Sequence, residues 1–163
     1  MSLSAIACRE RRSFLPGALL LFALFVSRPG LGAAPAEPVL DLASLHGRVV
    51  YLDFWASWCA PCRLSFPWMQ ALQTTYAPQG LTVVAVNVDR ERRAADRFLA
   101  QYPVQFDLRF DPEGSLAEAY QVHGMPTSVL IDRQGKVRYT HIGFRAIDGA
   151  IYERQVRELL EEK

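Results

Sequence analysis

Two apolar, β-favouring runs, residues 49–55 and 81–88, stand on either side of a helix-periodic stretch, and that order narrows the fold more than any other feature. Val49-Val50-Tyr51-Leu52-Asp53-Phe54-Trp55 and Leu81-Thr82-Val83-Val84-Ala85-Val86-Asn87-Val88 are apolar on both faces, as strands inside a covered sheet are. Over residues 60–76, Leu64, Trp68, Met69, Leu72 and Tyr76 recur at steps of three and four, which predicts a helix with one packed face ending before Pro78 and Gly80. Pro67 falls inside it and is expected to kink it. Strand, helix, strand in this order is a βαβ unit with a right-handed crossover.

The pattern then changes. Residues 91–102 read as a helix with Ala95, Phe98, Leu99 and Tyr102 inward and Arg92, Arg93 and Arg97 toward water. A short strand over 106–110 and a short helix over 115–122, closed by Gly124, follow. The runs 127–131 and 136–142 flank the polar turn Asp132-Arg133-Gln134-Gly135, so this half is an antiparallel hairpin. Ile147, Ile151, Tyr152, Gln155, Val156, Leu159 and Leu160 trace one face of a closing helix. The expected class is α/β, a central mixed sheet flanked by helices.

Residues 37–44 read as a short extended lead into the first strand, and ahead of them the composition differs. Arg9, Arg11, Arg12 and Arg28 against a single Glu10, an apolar run over residues 15–26, and Gly32-Ala33-Ala34-Pro35-Ala36 have the order of a secretory signal. The apolar run is shorter than the roughly 20 residues of a membrane-spanning helix, so cleavage is expected rather than a lasting anchor. Pro35 makes a poor neighbour for a scissile bond after Ala34, which favours cleavage after Ala36, with Ala33 as the alternative. Arg11-Arg12-Ser13-Phe14-Leu15 also resembles a twin-arginine signal, leaving the general secretory and twin-arginine routes both open. The expected organisation is a cleaved segment, residues 1–36, and one domain, residues 37–163.

Lys and Arg number 18 and Asp and Glu 17 over the 163 residues, and the leader takes away four of the basic and one of the acidic side chains. The domain that remains is close to neutral, which excludes a phosphate-backbone binder, so no nucleic acid is expected as a partner. Cys8 leaves with the leader, so the domain keeps two cysteines, Cys59 and Cys62. A loop this short gains little stability from a disulfide, so the pair is there for chemistry.

That pair lies in Trp55-Ala56-Ser57-Trp58-Cys59-Ala60-Pro61-Cys62, where the first strand gives way to the first helix. Unpaired N–H groups and the helix dipole favour a thiolate at Cys59, which makes it the attacking sulfur, with Cys62, one turn further in, resolving the mixed disulfide. Zinc would need two more ligands, and His46, His123 and His141 are not spaced as a close pair, so no metal and no cofactor are expected.

The segment Asp53-Phe54-Trp55-Ala56-Ser57-Trp58-Cys59-Ala60-Pro61-Cys62-Arg63 resembles the active-site strand and turn of thioredoxin, and Gly124-Met125-Pro126-Thr127 resembles its cis-proline loop. With the intervening stretch that includes residues 106–120, and with the export signal, the chain is similar over residues 45–162 to exported thiol:disulfide reductases of the TlpA/ResA type. The resemblance implies a thioredoxin fold with an insertion before the cis-proline loop, and a cis Met125-Pro126 bond. The Met125 backbone would then pair with an extended client, Pro126 would present no N–H and no ligand atom to the thiolates, Trp58 would wall the site, and Ala60, Pro61 and Pro126 would be client-binding residues alongside Met125 and Trp58. Such reductases often carry Asn where Asp53 stands and an acidic residue where Ser65 stands. Here the carboxylate is at Asp53, where it either takes the Cys62 proton or serves as a hydrogen-bonded structural residue.

Three functions remain open on these residues. The first is reduction of protein disulfides in the periplasm, on a disulfide-containing or thiol protein client such as an apocytochrome c or a metal-site assembly protein. The resemblance implies a membrane thiol donor of the DsbD or CcdA kind to recharge it, because the compartment is oxidising. The second is an oxidase that donates its disulfide, against which Ala60-Pro61 offers no side-chain donor between the cysteines. The third is a non-enzymatic thiol or copper-handling module.

Overall fold

The computed structural model describes residues 42–162, so the leader, Cys8, the cleavage positions and most of the lead at 37–44 lie outside the described residues. Five strands form one sheet in the order β3-β2-β1-β4-β5: β1 (Val49–Trp55), β2 (Leu81–Asn87), β3 (Asp107–Phe110), β4 (Thr127–Ile131) and β5 (Val137–Ile142). β1, β2 and β3 run parallel, whereas β4 pairs antiparallel with both β1 and β5. Every residue of β1 is buried, which is why its sequence shows no polar alternation. Helices α1 (Cys62–Tyr76), α2 (Arg92–Gln101), α3 (Ser115–Ala119) and α4 (Gly149–Glu161) complete the domain.

The two faces of β1 build two cores. Val49, Tyr51 and Trp55 pack with Phe66, Met69 and Leu72 of α1, Phe98 of α2 and Val156 and Leu159 of α4. Val50, Leu52 and Phe54 pack with Val84, Val86, Val129 and Ile131, under Leu116 and Tyr120 at α3. Asp53 has the parity of the first face and stands between Tyr51 and Trp55 along the strand.

Four local expectations are corrected. The buried stripe of α1 is Cys62, Ser65, Phe66, Met69, Leu72 and Tyr76, while Leu64 is 56% exposed. Phe66 wins the inward position because its ring meets Trp55, Phe98 and Phe106 at centroid distances of 4.7, 4.8 and 5.7 Å. α3 stops earlier than expected, at a left-handed Gln121 (φ 53°) rather than at Gly124. There the Gln121 N–H donates to the Glu118 carbonyl and the Val122 N–H to that of Ala117, both at 2.9 Å, which closes the helix end. Ile147 and Ile151 face solvent, because a 3-10 turn, Ala146–Asp148, delays the start of α4 and leaves Tyr152, Val156 and Leu159 as its buried stripe. The described end of the lead, Leu42–Leu45, is also a 3-10 turn and not extended chain. Helix α1 runs through Pro67 as one element.

Candidate active site

The site begins where β1 ends. The Cys59 N–H donates to the Ala56 carbonyl at 3.1 Å, and Pro61 occupies the N-cap of α1, so Cys62 is the first helical residue. Pro suits this end, where its missing N–H leaves no helical bond unmade. Cys59 and Cys62 are joined, with Sγ–Sγ 2.06 Å and Cα–Cα 5.4 Å. Cys62 has no exposed surface and Cys59 has 2%. The Cys62 N–H points at Cys59 Sγ across 3.2 Å, so among the described residues a first-turn amide is aimed at one sulfur of the pair and not at the other.

Around the pair, Trp58 is 69% exposed, Ala60 is exposed and Pro61 is half-buried. The Met125-Pro126 peptide bond is cis. Its loop is held by Gly143 N–H donating to the Pro126 carbonyl at 2.7 Å and by Thr127 Oγ1 donating to the Gly124 carbonyl at 2.7 Å. Pro126 is buried and Met125 half-buried. Among the described residues, the backbone N–H and C=O of Met125 make no hydrogen bond.

Asp53 is fully buried, on the β1 face whose Tyr51 and Trp55 share a core with Cys59 and Cys62. Its register partners are small, Ala85 on β2 and Ser128 on β4, so a carboxylate fits inside the sheet. Ser128 Oγ donates to Asp53 Oδ1 at 2.7 Å, while Oδ2 has no partner among the described residues. Burial raises the Asp53 pKa to about 7, with the Ser128 hydroxyl pulling the other way. Ser65 is also buried, and its hydroxyl donates to the Cys62 carbonyl at 3.2 Å.

Two partners of the site were not singled out in the sequence. Ser128 is one; it stands two positions after Pro126 and, with Thr127, opens a strand whose other residues are apolar. The other is Asp89, which accepts from Ser57 N–H at 2.9 Å, Ser57 Oγ at 3.0 Å and Asn87 Nδ2 at 2.8 Å. It ties the loop leading into Cys59 to the end of β2; Asn87 and Asp89, polar residues closing an apolar run, were the available signal. The histidines do not gather. His46 and His123 are exposed, and His141 stacks on Tyr152 at 3.8 Å with its Nε2 2.8 Å from Gln155 Oε1. Among the described residues, no group of three or more His, Cys, Asp or Glu side chains is placed to hold a metal ion.

Making or breaking the Cys59–Cys62 bond moves two electrons, and on this sheet such a pair defines the class: thioredoxin-fold thiol:disulfide oxidoreductases. The chain belongs to the Redoxin family, whose model matches residues 32–156. It is 38% identical over 98 residues to thiol-disulfide oxidoreductase ResA of Bacillus subtilis (strain 168), covering 60% of this chain and 55% of that protein. To ResA of Bacillus thuringiensis subsp. konkukian it is 32% identical over 123 residues, covering 76% and 68%. The chain thus spans little more than half the length of the first of these relatives and about two thirds of the second. Among solved structures it resembles one assigned as a thiol:disulfide interchange protein DsbE from Chlorobium tepidum, at 53% identity and TM-score 0.72, over 73% of this chain and 84% of that one. StoA from Bacillus subtilis matches at 28% identity and TM-score 0.58, over 71% and 84%.

Proposed function

We propose that residues 37–163 are the mature exported domain and that it reduces disulfides of client proteins in the periplasm. The observation that carries this reading is the first-turn amide aimed at Cys59 Sγ, which sets the two sulfurs apart although both are buried, at 2% and 0% exposure. In the reduced domain that amide stabilises a Cys59 thiolate, which attacks a client sulfur and expels the other client sulfur as a thiolate. The Met125 backbone is unpaired among the described residues, and its side chain packs against the core that holds Cys59 and Cys62, so it is suited to hold the client as an added extended segment, with Trp58 as an apolar wall. Asp53 then takes the Cys62 proton, Cys62 attacks Cys59 Sγ, and the reduced client leaves as the Cys59–Cys62 disulfide closes. A membrane thiol donor of the DsbD or CcdA kind restores the two electrons.

The direction rests on Ala60 and Pro61, whose side chains donate nothing to either sulfur, so the reduced form lacks the extra stabilisation of a strong oxidant. The periplasmic location rests on the leader; among the described residues no helix is long and apolar enough to cross a membrane. The deciding experiment is the reduction potential of the pair in the mature domain, measured beside insulin reduction. A value near thioredoxin's, about −270 mV, with turnover of insulin, supports the reductase. A value near that of DsbA, about −120 mV, overturns it in favour of an oxidase. Tight Cu(I) binding by the reduced pair without insulin turnover overturns it in favour of a metal-handling module.

A further inference from the structure

Asp53 and Ser128 face each other across the antiparallel β1–β4 pair, and both are buried. The 2.7 Å bond from Ser128 Oγ to Oδ1, with Oδ2 unpartnered, makes the carboxylate's two oxygens unequal. A proton placed on Oδ1 would force the serine hydroxyl to turn away, whereas a proton on Oδ2 leaves that bond intact. Ser128 also stands two residues beyond Pro126, so the strand that follows the cis-proline loop holds the carboxylate on the β1 face whose Tyr51 and Trp55 share a core with Cys59 and Cys62.

We propose that Ser128 is a positioning residue for the resolving step: its hydroxyl pins Asp53 Oδ1, so that Oδ2 is the oxygen that takes the proton of Cys62. The proposal rests on the reading of Asp53 as the base in that step. In the step the Cys62 S–H bond breaks and an O–H bond forms at Oδ2, while the Cys62 sulfur bonds to Cys59 Sγ. The Cys59–client S–S bond breaks with its electron pair on the client sulfur, and the proton passes on from Oδ2 through solvent to that thiolate.

The surroundings make the serine matter. Tyr51, on β1, is a titratable neighbour of Asp53 along the face, and α1 brings Cys62 into the cluster around Tyr51 and Trp55. α4 brings Tyr152 toward Tyr51, while β2 and β4 contribute Ala85 and Ser128, neither of which titrates. Burial and the Ser128 hydroxyl are therefore the two opposing influences on Asp53. A hydrogen bond to an ionised group favours the ionised form, so losing the hydroxyl should move the Asp53 titration alkaline by about one pH unit.

A chromogenic aromatic disulfide such as 5,5′-dithiobis(2-nitrobenzoate) separates the two steps in stopped flow. Attack by Cys59 releases one chromophore, and resolution by Cys62 releases the second. Expected is that Ser128→Ala moves the pH midpoint of the second phase alkaline by about one unit and leaves the first phase unchanged, while Ser128→Thr, which keeps the hydroxyl, restores the wild-type midpoint. Titration of the Asp53 carboxyl by carbon NMR in the oxidised domain should show the same displacement without any turnover. If both phases of Ser128→Ala slow equally with no movement of the midpoint or of the NMR titration, Ser128 is only structural and the proposal is overturned. Should Asp53→Asn leave the second phase as in wild type, the underlying reading of Asp53 fails as well. A slowed Asp53→Asn beside an unmoved Ser128→Ala midpoint rejects the serine alone.

Discussion

The backbone N–H of Cys62 lies 3.2 Å from Cys59 Sγ, and no such amide is aimed at Cys62 Sγ among the described residues. On the proposed function this amide sets Cys59 up as the attacking thiolate and leaves Cys62 as the resolving thiol. Alkylation of the reduced mature domain at mildly acidic pH should label Cys59 well before Cys62. Cys62→Ser should trap clients on Cys59 as mixed disulfides, since attack survives and resolution does not. Peptide mapping that finds the label first on Cys62, or traps only with Cys59→Ser, would exchange the two roles.

Asp53 should cost the oxidised fold stability at high pH. Its folded pKa, about 7, lies above the unfolded value of 3.8, so between the two the native state holds more protons. Stability is therefore full below pH 4, falls as pH rises through 7, and is lower by roughly 4 kcal/mol at most above that. Asp53→Asn removes the titration, so its advantage over wild type should grow from pH 5 to pH 8 in urea denaturation of the oxidised domain. Parallel pH dependences for the two proteins would show that Asp53 does not titrate in this window.

Asp89 should matter to the fold of the cysteine loop. Its carboxylate accepts from the Ser57 backbone, the Ser57 hydroxyl and the Asn87 amide, and it is buried. Asp89→Ala leaves those donors unmatched and should destabilise the oxidised domain by about 2–3 kcal/mol; Ser57→Ala, which keeps the backbone donor, should cost about 1 kcal/mol. Denaturant midpoints of both variants measure this. Equal losses would place the weight on the serine hydroxyl instead of on the loop backbone.

Gly149→Ala is expected to destabilise even though it adds a better helix former. Gly149 opens α4 at φ −53°, where alanine is at ease, but its Cβ would stand 2.9 Å from Trp68 Nε1 and 3.2 Å from Cδ1. That indole is boxed in by Tyr51, Phe144 and Tyr152 at centroid distances of 5.5, 5.3 and 6.2 Å. Overpacking of about 1–3 kcal/mol should outweigh the roughly 1 kcal/mol of helix propensity gained. A rise in thermal midpoint would mean that the indole moves aside at little cost.

What the sequence by itself determined was whatever rests on local pattern. β1 and β2 were legible because a strand covered on both faces must be apolar throughout, and Asp53 stood out as the one charge in such a run. The Cys59–Cys62 disulfide was legible because two cysteines at this spacing can join, and the cis Met125-Pro126 bond was what the resemblance of its loop implied. Pairings between distant segments were not legible. The Asp53–Ser128 bond joins residues 75 positions apart, and the Ser57–Asp89 bond joins residues 32 apart. Each exists only because the sheet puts β4 and the end of β2 beside β1. The inward face of α1 was misread in the sequence, with Leu64 placed in the core, since Leu64 and Phe66 both suit one. The ring cluster of Trp55, Phe98 and Phe106 decided for Phe66, because a helix can turn only one of those two positions toward the same core. Spacing along a chain fixes which side chains share a face; which face meets which neighbour is a property of the packed whole.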